Sequence, residues 1–146
     1  MYQSNLKIVM AISMTVIFSS ASIAHADKMT ESVHKPVESH QWFDTGVGAM
    51  QAAVAYGDMT KGGHGTILKM PKGFSSPVHK HSNEYHSVVI SGTVVNSEVG
   101  KPDIKMNAGS YWYQVGDANH VTRCVSDKGC MVFLMQPEKF DFITEK

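Results

Sequence analysis

From Trp42 onward, short apolar runs alternate with clusters of Gly, Pro, Asn and Asp, a rhythm that predicts strands joined by turns. The runs are His64–Met70, Glu84–Ile90, Gly92–Val99, Ile104–Met106, Ser110–Gln114, His120–Val125 and Cys130–Gln136. Ala49–Tyr56 fits a strand or a short helix equally well, because periodicity does not separate the two over so few residues. Gly57-Asp58 and Gly62-Gly63 mark turns, and Asp127-Lys-Gly129 reads as the tight turn of a hairpin. No stretch after residue 60 carries a helical period. Many short strands at nearly even spacing predict an all-β sandwich or barrel.

The N-terminal segment has a different pattern. Lys7 precedes the apolar run Ile8–Phe18, which is short for a membrane span, and Ser19–Ala26 ends in small residues of the A-x-A kind. Residues 1–26 are therefore expected to be a cleaved signal peptide, and the mature protein to be periplasmic or secreted. Residues 27–41 are polar, contain His34, His40 and Pro36, and lack an apolar period, so a flexible arm is expected there. Residues 42–146 are the barrel domain.

Charge narrows the partners. The chain holds 13 basic and 13 acidic residues, and loss of Lys7 with the leader leaves a small negative excess. No run of like charge occurs, which argues against nucleic acid and, after signal cleavage, against a membrane. A small molecule or an ion is the expected partner. Cys124 and Cys130 are the two cysteines, and in an oxidising compartment a pair this close is a disulfide candidate, set across the predicted hairpin; two buried thiols are the alternative.

Candidate chemistry lies in Gly73-Phe-Ser-Ser-Pro-Val-His79-Lys-His81, which closes at Gly92. Residues i and i+2 of a strand share a face, so His79 and His81 present two imidazoles side by side, suited to zinc, copper, iron or nickel. Downstream, Gly109 precedes His120 by eleven positions. This pair of motifs resembles those of the cupin superfamily. The runs Tyr85–Gly92, Gly109–Trp112, His120–Cys124 and Lys139–Phe142 are similar to short, single-domain bacterial cupins without an assigned reaction. The resemblance implies a cupin-type double-stranded β-barrel, or jelly roll, with His120 as a third ligand. It also implies a homodimer.

The chain departs from the cupin pattern at two places. A glutamate usually stands seven residues before the closing glycine, and here that position is Tyr85. A turn longer by one residue would instead bring His86 to the metal, because a one-residue slip exchanges the two faces of a strand. In the second motif, Val115-Gly116-Asp117 replaces the usual Pro-x-Gly, and Cys124 stands where Asn is common. Three imidazoles without a carboxylate would hold a divalent ion, Fe, Mn or Zn, with coordination positions left open. The expected function is an exported metal-dependent enzyme, oxygenase-like, acting on a small oxygenated organic molecule, with Tyr85 as hydrogen-bonding group or acid. The alternative is a non-catalytic periplasmic module that binds or senses a metal or metabolite. His64, flanked by glycines, is expected at a turn or rim, and of Trp112 and Tyr113 one should face inward.

Overall fold

The apolar runs become strands, and their inward positions meet between two antiparallel sheets. The computed structural model describes residues 31–144. After a short helical turn, Val37–Ser39, come β1 (Phe43–Asp44), β2 (Gln51–Gly57), β3 (His64–Met70), β4 (His79–Lys80) and β5 (Tyr85–Ser91). They are followed by β6 (Thr93–Glu98), β7 (Lys105–Asn107), β8 (Tyr111–Gln114), β9 (His120–Cys124), β10 (Cys130–Gln136) and β11 (Ile143–Thr144). One sheet has the order β1-β2-β3-β10-β5-β8 and the other β11-β4-β9-β6-β7. The expected all-β jelly roll is the fold observed, and the undecided Ala49–Tyr56 run is strand β2.

Alternation decides what enters the interior. On β5, Tyr85, Ser87 and Val89 are buried while Val88 and Ile90 are exposed. On β10, Cys130, Val132, Leu134 and Gln136 are buried in the same period of two. The apolar core gathers Met70, Phe74, Val89, Val94, Met106 and Val132 around Cys124 and Cys130.

One local expectation is corrected. Asp127-Lys-Gly129 does not close a hairpin, because β9 and β10 belong to different sheets. The segment carries the chain from one sheet to the other. Cys124 and Cys130, with Cα atoms 5.7 Å apart, therefore form a disulfide that ties the two sheets together at their apolar end. Gly92 shows why that end tolerates no side chain at the β5–β6 turn. Its φ is +81°, and an added Cβ would lie 2.5 Å from the Gly129 carbonyl oxygen and 2.9 Å from the Cys130 sulfur. The predicted signal peptide, residues 1–26, lies outside the described residues.

Candidate metal centre and its cavity

Strand pairing assembles the histidines. His79 on β4 stands directly opposite His120 on β9, and His81 follows two residues after His79. The ring centroids are 4.2 Å apart for His79 and His120, 5.0 Å for His79 and His81, and 5.4 Å for His81 and His120. All three rings are buried, and one ring nitrogen from each lies within 4.8 Å of the others. This is the candidate metal centre.

Backbone carbonyls orient each ring. His79 Nδ1 donates to the Pro77 carbonyl at 3.0 Å, His120 Nδ1 to the Ala118 carbonyl at 2.9 Å, and His81 Nδ1 to the carbonyl of Asp141. A carbonyl only accepts, so each Nδ1 carries its proton and each neutral ring keeps a lone pair on Nε2. Fixing ligand tautomers through the second nitrogen is what metal-binding histidines require. Burial lowers the pKa of all three, to about 4 for His79, which keeps them in the neutral, metal-binding form. The donor set therefore fits a divalent transition ion held by three imidazoles.

The chain tail completes the enclosure. Phe142 stacks on His79 at 4.3 Å, and Phe140 packs on His81 at 5.2 Å. Asp141 between them takes the His81 proton on its carbonyl and the Ser82 N–H on its carboxylate at 2.9 Å. Beyond its aromatic burial, this segment thus positions two of the three rings.

Tyr85 enters the same interior from the other sheet, 3% exposed, with its hydroxyl 3.3 Å from His120 Nε2 and 3.3 Å from Asn96 Oδ1. Its single proton has two acceptors. When His120 Nε2 holds an ion, Asn96 remains to take the proton. Asn96 Oδ1 also accepts from Thr122 at 2.7 Å, and Asn96 Nδ2 donates to Gln114 Oε1 at 2.8 Å. Burial pushes the Tyr85 phenol up to about 12, so it is a neutral hydrogen-bond donor near pH 7.

His86, the other residue considered for the glutamate position, is not brought to this cluster. Its Nδ1 is hydrogen-bonded to the Tyr111 hydroxyl at 2.7 Å, and its ring stacks on Tyr111 and packs on Tyr113. Alternation along β5 turns it to the opposite face from Tyr85. Trp112 faces the cavity, and Tyr113 is exposed.

The departure at Asp117 also has a physical account. This residue adopts φ +60° where glycine is usual, a conformation Asp tolerates better than most side chains. Its N–H donates to the His81 carbonyl at 2.8 Å, and its carboxylate pairs with Lys80 at 3.2 Å. The loop is thereby stitched to the ligand-bearing segment.

The centre opens on a cavity of about 320 Å³ between the sheets. Val47, Met50, Leu68, Phe74, Trp112 and Leu134 give it mainly apolar walls, and Tyr85, Thr122 and Ser76 add polar groups. Sequence reasoning missed Asn96, Gln114, Ser76 and the interior position of His64. Asn96 and Gln114 carry a usable signal: each lies two residues beyond an inward apolar residue, Val94 and Trp112.

Comparison with known proteins agrees with this architecture. No curated protein matches the chain. An RmlC-like cupin from Shewanella frigidimarina superposes with a TM-score of 0.59 at 20% identity, covering 75% of this chain and 95% of that one. The polyketide cyclase RemF from Streptomyces resistomycificus gives 0.66 at 14% identity, covering 81% and 87%. The DMSP lyase DddQ from Ruegeria pomeroyi gives 0.58 at 18% identity, covering 68% of this chain and 57% of the lyase. These likenesses are in fold. The family described as the ChrR cupin-like domain matches residues 30–138, most of the chain, and with this fold and these motifs the protein belongs to that family, within the cupin superfamily.

Proposed function

We propose that the protein is an exported, metal-dependent cupin enzyme acting on a small oxygenated organic molecule. One observation carries the reading: three buried imidazoles, their Nδ1 protons all held by carbonyls, gather at the wall of a largely apolar cavity. His79, His81 and His120 would hold the ion, Fe, Mn or Zn. When bound, a divalent ion there supplies Lewis acidity to a substrate oxygen and keeps positions open for it. The chain's own groups do the rest. The aromatic walls orient the substrate's apolar body and exclude water, while Tyr85 donates its proton to an oxygen of the bound molecule in place of Asn96. Two structural neighbours carry enzyme names, a cyclase and a lyase, which supports turnover in this architecture. Oxygenase-like chemistry is the specific form we favour, because a neutral three-histidine shell leaves room for dioxygen beside a chelating substrate. Export is supported by the disulfide, since such bonds persist in oxidising compartments.

The test is metal analysis of protein purified from the cell envelope, followed by an oxygen-consumption screen over enolisable substrates. One ion per chain is expected, and His79→Ala, His81→Ala and His120→Ala should each abolish stoichiometric binding while the β-rich circular dichroism remains. His86→Ala should retain the ion. An ion bound without turnover of any substrate favours the binding module, and binding unaffected by the three changes overturns the metal centre. N-terminal sequencing should find Asp27 first; a retained leader contradicts cleavage.

A further inference from the structure

The cavity has further polar groups, on the sheet that does not carry the three histidines. His64 opens β3, is 1% exposed and lines the cavity, so it is neither a turn nor a rim residue. Its Nδ1 donates to the Gly62 carbonyl at 3.0 Å, two residues back, as His79 does to Pro77 and His120 to Ala118. The same logic leaves the neutral ring with a lone pair on Nε2. That nitrogen is buried and has no hydrogen-bond partner among the described residues. Two residues along the same face, Thr66 is 3% exposed, lines the same cavity, and its hydroxyl also lacks a partner. Buried polar atoms are hydrogen-bonded as a rule. Two neighbouring exceptions on one wall of a cavity, neither of them in the metal-ligating group, are placed to meet a polar group of a ligand.

We propose that His64, with Thr66, is a specificity-determining anchor that accepts a hydrogen bond from a hydroxyl group of the bound molecule. This rests on reading the cavity as a substrate pocket. The chemistry defines the ligand class. The molecule carries a carboxylate, carbonyl or enolate for the three-histidine end and an apolar body for the aromatic and aliphatic walls. That body also carries a hydroxyl, placed to meet the wall formed by His64 and Thr66. The pocket therefore selects hydroxylated aromatic or cyclic acids over the unsubstituted acids.

The experiment uses benzoate, 3-hydroxybenzoate and 4-hydroxybenzoate as probes, with affinities measured by isothermal titration calorimetry on the zinc-loaded protein and again after chelation. At least one hydroxybenzoate should bind roughly tenfold tighter than benzoate or better, as expected where a site's buried acceptor is satisfied by a hydroxyl. His64→Leu should bring the hydroxybenzoates down to the level of benzoate with zinc stoichiometry unchanged, and His64→Gln, which keeps an acceptor, should restore part of the preference. Thr66→Val, a near-isosteric change, should weaken the preference even if the leucine variant fails to fold. The proposal is overturned if no hydroxylated probe outbinds benzoate, or if the preference survives in His64→Leu. Failure of zinc loading would count against the metal centre alone, since the hydroxyl preference is also measured without zinc.

Discussion

The two ends of the barrel are built from the same strands and differ in everything else. β9 carries His120 at one end and Cys124 at the other; β3 runs from His64 through Thr66 and Leu68 to Met70; β10 runs from Cys130 to Gln136. β5 enters with Tyr85 and leaves with Val89, and β6 passes from Val94 to Asn96. On β5 and β10 burial keeps a period of two, so the same face is buried along the strand. What changes is the chemistry, from an apolar end closed by a disulfide to a polar end holding imidazoles, a phenol and unpaired hydrogen-bonding atoms. Stability is concentrated at one end so that the other can hold buried polar groups that folding alone would not favour.

The comparison is broken most forcefully at Gly92. Gly92→Ala forces a Cβ against the Gly129 carbonyl and the disulfide in a left-handed conformation, so a loss of about 3 kcal/mol or more is expected in urea denaturation. Metal stoichiometry in the protein that remains folded should be unchanged. Next in size is removal of the disulfide. Cys124→Ala with Cys130→Ala opens a short loop whose closure stabilises by about 2 kcal/mol in the chain-entropy model, or roughly 10 °C in Tm. The zinc content of the double variant should stay at one per chain, because the bond lies at the far end from the histidines.

Acid should act on the opposite end. Burial depresses the pKa of His79, His81 and His120 in the fold below the ordinary value of 6.5. The metal-free fold therefore gains stability from neutral imidazoles that is fully present above about pH 6.5 and is lost as pH falls toward about 4. Thermal melts of metal-free protein from pH 7.5 to 4.5 should fall more steeply for the wild type than for His79→Leu. Parallel pH profiles would contradict the assignment. The smallest effect is expected for Tyr85→Phe. It removes one long donated hydrogen bond, shared between two acceptors at 3.3 Å, so stability should change by about 1 kcal/mol or less, with the metal retained and turnover reduced.

Much of the fold was legible because the inward period of two is strong on β5 and β10, and because turn residues punctuate the gaps. The pairing of His79, His81 and His120 was legible through spacing and the resemblance it supports. Sheet membership was not. A three-residue turn between two cysteines reads locally as a hairpin, and only the global crossover places β9 and β10 in different sheets. His64 was misread for a related reason: flanking glycines suggest a turn, whereas Gly65 serves close packing, since a Cβ there would meet the Tyr56 ring at 2.2 Å. The choice between Tyr85 and His86 depended on turn length after His81. The structure turns Tyr85 inward and His86 outward.

The central claim is the three-histidine centre, and anomalous diffraction from crystals grown with zinc and measured on both sides of the zinc edge tests it most directly. One peak is predicted within bonding distance of the Nε2 atoms of His79, His81 and His120, with His64 and His86 free of the ion. A peak on His86, or none among the three buried rings, would contradict the account.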